Sequence, residues 1–405
     1  MITAAWPPVA RVGARRPLRL ARRLPDLGWE PTILTPEPRS IFRSLPNMDE
    51  RLSVPDIAVH RVPALIPSTK LARGVARLPD IVSKPINRLI SDTLKPDQYP
   101  AWTRAALKTA SSIKDIDIVW ATGGPFGIFC VGRTIAKKLQ VPLVLDYRDP
   151  WTVDLPKKRV PIGPSNRSVQ KLEAKLLKGA QGVSYVNTDM LARNVATFSP
   201  GPDAHWVVIP NGYDPTDVAH VEPTHFLVPT IIYAGACYSS RSMLPILRAL
   251  SAAQERGLPP LNLRIFGELD SAAQEFLSKH PMPDRVHCSG RIPAGELAAH
   301  MGGAAALLLI IGDGHRTALS ANVFDYLEVR RPILGYGPTG CAAEDMIHRC
   351  GVGGWAHDEN QTIEQLFSIA RGSFGQSPNT TALQSYSADV MAERTADLLN
   401  HSLNP

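Results

Sequence analysis

Thr230-Ile231-Ile232-Tyr233-Ala234-Gly235-Ala236-Cys237-Tyr238-Ser239-Ser240-Arg241 runs from a continuous apolar stretch, through small residues, to an arginine. A short apolar run without alternation suits a parallel strand covered on both faces. The small residues read as a turn. Arg241 reads as a cation at a helix start, where it can hold a phosphate bidentately while the helix dipole assists. The same order of strand, turn and helical pattern recurs outward in both directions. Toward the N-terminus the strand candidates are residues 2–5, 32–34, 57–62, 116–121, 143–145, 182–186 and 207–209. From residue 230 onward they are 230–233, 263–266, 286–288, 306–310 and 333–335. Such alternation predicts a doubly wound α/β architecture, in which ligands bind beyond the carboxyl ends of the strands.

At 405 residues the chain exceeds what one hydrophobic core usually supports, so two domains are expected. The turn-rich segment Pro210-Asn211-Gly212-Tyr213-Asp214-Pro215 directly follows a strand and marks the boundary. The domains are therefore placed at 1–212 and 213–405. The tail from Ser385 has apolar residues at helical spacing (Ala388, Met391, Ala392, Ala396, Leu398, Leu399), which lets it pack back on the first domain.

A hydrophobic fraction of 44% and a charged fraction of 20% are ordinary for a globular protein. No apolar run approaches the roughly 20 residues of a membrane-spanning helix. The N-terminus lacks the basic-then-apolar order of a secretion signal, so a cytoplasmic protein is expected. Five scattered cysteines, none spaced as CxxC, imply neither a disulfide framework nor a zinc site.

The net charge of +7 is uneven: over the first 110 residues Lys and Arg outnumber Asp and Glu about two to one. No zinc-finger spacing or RNA-binding aromatic signature accompanies this bias, which argues against nucleic acid. An anionic membrane surface or a phosphorylated substrate fits it as well. Between Val62 and Lys95, apolar residues are interleaved with Lys70, Arg73, Arg77, Lys84 and Arg88. Turns of this composition can lie on an anionic bilayer. They can equally pack their apolar face on the sheet and leave the charges in water.

Three further segments carry polar residues after strands. Trp6-Pro7-Pro8 leads through Gly13 into a helix whose free N–H groups could hold a diphosphate, although a structural turn would look the same. Leu145-Asp146-Tyr147-Arg148-Asp149-Pro150-Trp151 places two carboxylates and an arginine after a buried strand, which is costly unless they are paired or functional. An internal ion pair fixing the loop and a site in the cleft both remain open. In the last segment, Gly312-Asp313-Gly314-His315 precedes Ser320. Ser320 is expected to cap a helix carrying Asn322 and Asp325. A carboxylate one turn inside that helix can accept from ribose hydroxyls, or simply interact with the helix dipole.

Together these segments resemble glycosyltransferase family 4. Pro7, Pro8, Gly13, Arg16, Pro17, Leu24, Pro25, Gly28 and Trp29 match the opening of one branch. Asp146 to Trp151 match its Asp-Phe-Arg-Asp-Pro-Trp, and Pro210 to Asp214 its Pro-Asn-Gly-aromatic-Asp. Tyr233 through Arg241 match its Tyr-x-Gly-x-x-Tyr-x-x-Arg, while Phe266-Gly267 and Gly290-Arg291-Ile292-Pro293 match two later turns. The resemblance implies the GT-B fold, with two facing Rossmann-like doubly wound domains and a cleft between them. It also implies transfer of a sugar from a nucleoside-diphosphate sugar, with retention, to a carbohydrate or lipid-linked acceptor. By that resemblance Gly13, Arg241, Ser320 and Asn322 bind the donor diphosphate. Gly267, Arg291, Ile292 and Asp325 bind the nucleoside. Arg16 and Arg148 lie on the acceptor side, and Asp149 and His315 are the candidate catalytic groups.

No metal or other cofactor is expected, because Arg241 and helix N–H groups would stabilise the leaving diphosphate. A peripheral contact with the inner face of the cytoplasmic membrane accords with the basic N-terminal part. Two departures stand out. Asn322 replaces a lysine of the family, and Asp325 replaces a glutamate. They leave a catalytically inactive partner subunit as one alternative, and a nucleotide-sugar 2-epimerase on the same architecture as another.

Overall fold

The computed structural model describes residues 1–9, 12–38, 56–64, 96–97, 99–153, 166–201, 204–238, 240–312, 316, 319–375 and 377–404. These divide into two units, Met1–Asn211 with Ala388–Pro405, and Gly212–Ser387.

In the first unit β1 (Ile33–Pro36) pairs in parallel with β2 (Val59–Val62). A four-stranded parallel sheet follows, with β3 (Val119–Gly123), β4 (Leu143–Tyr147), β5 (Gly182–Tyr185) and β6 (His205–Val208) in that order. Ile2 joins the two sheets through parallel bridges to Leu34 and Ala121. Every residue of β3, β4 and β5 is buried, as continuous apolar runs require when helices cover both faces. The connecting helices are α1 (Val12–Arg23), α2 (Thr103–Ala110), α3 (Gly127–Leu139), α4 (Asn166–Leu177) and α5 (Thr188–Phe198). The Asn187 side chain caps α5 by accepting from the Met190 amide at 2.7 Å.

The second unit alternates β7 (Thr230–Ala234), α6 (Leu244–Glu255), β8 (Asn262–Phe266), α7 (Ser271–Lys279), β9 (Val286–Cys288) and α8 (Ala294–Gly303). It continues with β10 (Ala306–Ile310), α9 (Ala321–Val329), β11 (Ile333–Tyr336), α10 (Ala342–Cys350), β12 (Gly353–Ala356), α11 (Glu359–Ala370) and α12 (Thr380–Gln384). Its six strands run in parallel in the order β12-β11-β10-β7-β8-β9. Numbered within the unit, this is the 3-2-1-4-5-6 order of a Rossmann sheet read from its other edge. One core lies between the sheet and α6 with α11, around Leu247, Leu250, Ile265, Leu308 and Leu366. The other lies beneath α9 and α10, around Leu307, Phe324, Tyr326 and Met346.

The last helix, α13 (Ala388–Leu403), belongs to the first unit. Its residues Ala388, Met391, Ala392, Ala396, Leu398 and Leu399 pack with Leu20, Leu24, Trp120 and Val144. The apolar spacing seen in the sequence is the buried face of this helix.

Two strand assignments need correction. Residues 2–5 form no full strand, because Ile2 alone makes bridges before the chain turns. The Thr3 hydroxyl donates to the Ala5 carbonyl at 3.0 Å, and Pro7 and Pro8 have no N–H for a ladder. Conversely, β12 was not expected, since two glycines interrupt the apolar run on an edge strand. Of the stretch from Val62 to Lys95, residues 65–95 lie outside the described residues. No helix among the described residues is long and apolar enough to cross a membrane.

Candidate functional site

Strand order reverses in the second unit between β7 and β10, and the loops leaving those strands carry the polar residues. An open α/β sheet has its natural crevice at such a switch point. The loop after β7 begins at Gly235, whose N–H donates to the Phe266 carbonyl at 3.0 Å. Neighbouring loops approach it so closely that side chains are excluded. A Cβ on Gly267 would lie 1.8 Å from the Gly235 oxygen, and one on Gly312 would lie 1.7 Å from the Ser240 oxygen. Helix α9 is pinned across the reversal by two side chains. Asn322 Nδ2 donates to the Ala234 carbonyl at 2.5 Å. Tyr326 Oη donates to the Leu308 carbonyl at 2.9 Å and accepts from the Ala234 N–H at 3.3 Å.

Arg241 stands at the far end of the β7 loop. Its backbone N–H donates to the Tyr238 carbonyl at 2.6 Å, and its guanidinium carbon is 5.4 Å from the Tyr238 ring centroid. Arg241 Nε is buried with no hydrogen-bond partner among the described residues. Ser320 Oγ is in the same condition. Ser320 does occupy the N-cap of α9, but its side chain makes no capping bond. The Val323 N–H donates instead to the Ser320 backbone carbonyl at 3.1 Å, which corrects the expected cap and leaves the hydroxyl uncommitted. Leaving a buried donor unsatisfied costs about 1–3 kcal/mol. Both groups stand on the loops that leave the strands at the switch point, β7 and β10.

Asp325, half-buried, lies three residues after Asn322 on α9. Ile292 packs against the cluster containing Phe266 and Ile311. Arg291 is exposed and 3.9 Å from the equally exposed Glu268, a geometry of little energetic weight. His300 stacks on Phe266 at 5.0 Å with an 11° interplanar angle, and its Nδ1 lies 3.1 Å from Thr224 Oγ1. Burial, and then Arg264, push its pKa down, which favours the neutral ring.

The first unit also reverses strand order, between the Ile2 bridge and β3. Arg148, from the loop after β4, ties the two sides together. Its Nε donates to the Gly123 carbonyl at 3.0 Å, its Nη2 to Gly124 at 2.9 Å and its Nη1 to Gly13. Beside it, Asp149 is exposed as a residue, yet its Oδ2 lies 2.4 Å from where a Gly124 Cβ would stand. Burial at that contact pushes the Asp149 pKa up, Arg148 opposes the shift and Asp146 adds to it.

Arg16 and Asp146 form a bidentate pair at 3.1 and 2.9 Å, with Arg16 only 4% and Asp146 0% exposed. Thr122 Oγ1 and Ser184 Oγ each donate to the same carboxylate at 2.7 Å. The remaining Arg16 donors reach the carbonyls of Pro210 at 2.8 Å and Ile209 at 3.0 Å. Asp97 fills the N-terminus of α3, its carboxylate accepting from Gly127 N–H at 2.7 Å and from Tyr99 N–H at 2.9 Å.

Residues 13–212 match a known family. The matching model is that of a glycosyl transferase 4-like domain. No curated protein matches the chain in sequence. In fold it is similar to a glycosyltransferase from Rickettsia africae ESF-5 (TM-score 0.61, 15% identity, 99% of this chain and 98% of that one). It is also similar to Anabaena HepE in complex with UDP and glucose (TM-score 0.58, 13% identity, 98% of each chain). A third likeness is to a Listeria monocytogenes protein assigned as a UDP-N-acetylglucosamine 2-epimerase (TM-score 0.56, 10% identity, 98% of this chain and 95% of that one). At these identities the likeness is one of fold, and the α/β architecture of GT-B type expected from the sequence is the one observed.

The stretch that matches this family contains Gly13, Arg16, Arg148 and Asp149, and the structure brings all four to one end of the first unit's sheet. Both arginines have their guanidinium groups committed within the unit, Arg16 to Asp146 and Arg148 to backbone carbonyls. Arg241, Ser320, Asn322, Gly267, Arg291, Ile292 and Asp325 belong to the second unit: Arg241 follows β7, Ser320, Asn322 and Asp325 follow β10, Gly267 follows β8, and Arg291 and Ile292 follow the edge strand β9. His315 lies outside the described residues. Asp97 and His300 were not anticipated, since a lone acid in a proline-rich stretch and a lone histidine on a helix carry no motif. The acidic pair Asp115 and Asp117 precedes β3, at the opposite end of the strands from the loops described above. Among the described residues no group of three or more His, Cys, Asp or Glu is placed to hold a metal.

Proposed function

We propose that the protein is a glycosyltransferase that moves a sugar from a nucleoside-diphosphate sugar to an acceptor hydroxyl, with retention and without a metal. The observation that carries this reading is the pair of buried, unpartnered donors, Arg241 Nε and Ser320 Oγ, beside the switch point of the second unit. As the sugar–oxygen bond breaks, negative charge develops on the departing diphosphate and the sugar acquires oxocarbenium character. Arg241 and Ser320 stabilise that charge from the second unit. The leaving phosphate takes the acceptor proton on the same face, which gives retention. Asp325 holds the ribose. Gly267, Arg291 and Ile292 border the nucleoside. UDP is the first nucleoside diphosphate to test, because HepE is seen with UDP.

Asp149 orients the acceptor hydroxyl by accepting its hydrogen bond, and only its ionised form can do so. Its raised pKa therefore moves the acid limb of acceptor use to higher pH than an ordinary aspartate would give. Asp149→Asn should raise acceptor KM by roughly tenfold, the effect of one charged hydrogen bond, and flatten that limb. An unaltered pH profile in an active variant removes Asp149 from the site.

Incubating the protein with nucleotide sugars and following nucleoside diphosphate release tests the reaction class. Slow hydrolysis without an acceptor, accelerated by a glycan or lipid-linked glycan, supports transfer. Release that no acceptor accelerates counts against it, and conversion of donor to its epimer marks the 2-epimerase reading. The inactive-partner reading has its own support, the commitment of the Asn322 amide to the Ala234 carbonyl. It expects diphosphate binding with no turnover.

The basic bias of the first 110 residues supports peripheral binding to anionic lipid. Vesicles with anionic lipid should co-sediment the protein at low salt and release it as salt rises, because the attraction is screened within a Debye length of about 10 Å at 0.1 M. Protein that stays in the supernatant at low salt contradicts it.

A further inference from the structure

We infer that Asp270 is the positioning residue for Arg241, an assignment that rests on Arg241 being a diphosphate contact. Asp270 follows β8 and is 9% exposed. Its Oδ1 accepts from Ser242 Oγ at 2.8 Å and from the Ala273 N–H at 3.2 Å. Its Oδ2 accepts from the Met243 N–H at 3.0 Å. Ser242 Oγ in turn accepts from the Leu244 N–H at 3.1 Å. One carboxylate thus caps its own helix, α7, and holds the start of α6, which has no side-chain cap of its own.

Those bonds grip the chain immediately after Arg241. Before Arg241, the Cys237 N–H donates to the Glu268 carbonyl at 2.7 Å. The Arg241 turn is therefore tied at both ends to the segment that follows β8. Between the ties, Tyr238 and Arg241 exchange backbone hydrogen bonds of 3.2 and 2.6 Å, which closes the turn on itself. An arginine carries several rotatable bonds, and ordering it on binding costs affinity. A turn held before the ligand arrives avoids the backbone share of that cost. Negative charge at two helix N-termini also satisfies the Asp270 carboxylate locally, by interaction with their free N–H groups.

A carboxylate that merely capped α7 would make the Ala273 bond and affect stability alone. A positioning residue must also change affinity for the phosphate-bearing part of a ligand. Asp270→Ser separates the two, because serine is a good N-cap but too short to reach Ser242 and Met243. Calorimetric titration of the full chain with UDP and with uridine, for the unmodified protein, Asp270→Ser and Asp270→Asn, gives the readout. GDP and ADP, with their nucleosides, serve in turn if UDP does not bind.

Asp270→Ser should weaken UDP binding roughly tenfold, the scale of a lost hydrogen bond to a charged group, and leave uridine binding unchanged. Asp270→Asn, which keeps the acceptor at Oδ1, should lose less. Unmodified UDP affinity in Asp270→Ser, or an equal loss for uridine, overturns the assignment. If Arg241→Ala weakens UDP binding and the Asp270 variants do not, Asp270 alone is excluded. If the unmodified chain binds no nucleoside diphosphate, the reading of Arg241 fails first and Asp270 with it.

Discussion

Arg16→Ala is expected to destabilise the first unit by about 3–5 kcal/mol, the usual loss when one partner of a buried ion pair is removed. The variant would leave the fully buried Asp146 carboxylate with only the Thr122 and Ser184 hydroxyls as side-chain donors. It would also release the carbonyls of Ile209 and Pro210. Urea denaturation followed by tryptophan fluorescence reports the change, since Trp120 and Trp206 lie on strands of this sheet. A double variant, Arg16→Met with Asp146→Leu, should lose less than Arg16→Ala, because no charge is then stranded. A loss under about 1 kcal/mol for Arg16→Ala would mean that the pair contributes little and that water reaches it.

Arg241→Ala is expected to weaken nucleoside diphosphate binding by about 1.5–3 kcal/mol, the range for a charged hydrogen bond. The buried Nε has no described partner to lose, so the fold should persist and the effect should fall on the ligand. Arg241→Lys should recover only part of the affinity, because an ammonium cannot reproduce the two-pronged geometry of a guanidinium. Unchanged affinity in folded Arg241→Ala would remove this residue from the site.

Much of the fold was legible because its signals are local. Continuous apolar runs became β3, β4, β5, β7 and β10, and the spacing from Ala388 to Leu399 became the buried face of α13. What escaped depended on neighbours distant in sequence. Gly353-Gly354-Trp355-Ala356 has no apolar run, and becomes β12 only because β11 offers it an edge. Asp146 was recognised as a carboxylate too buried to stand alone, but its partner is 130 positions away in α1. The local arginine, Arg148, serves instead to tie three backbone carbonyls. Ser320 shows the limit of capping rules, since a carbonyl of the same residue takes the role given to its hydroxyl. Asp270 sits in none of the motifs read from the sequence, and its hold on Ser242 and Met243 emerges from the packing of β7 beside β8.

Binding of a nucleotide-sugar diphosphate beside the switch point of the second unit has a direct spectroscopic signature. Phosphorus-31 resonances of UDP, GDP and ADP, each titrated with the full chain and with Arg241→Ala, test it most directly. For at least one nucleotide the account predicts saturable shifts of both phosphorus signals, with a markedly weaker midpoint in Arg241→Ala. Phosphorus signals that stay at their free positions for all three nucleotides, at protein concentrations up to the millimolar range, would contradict it.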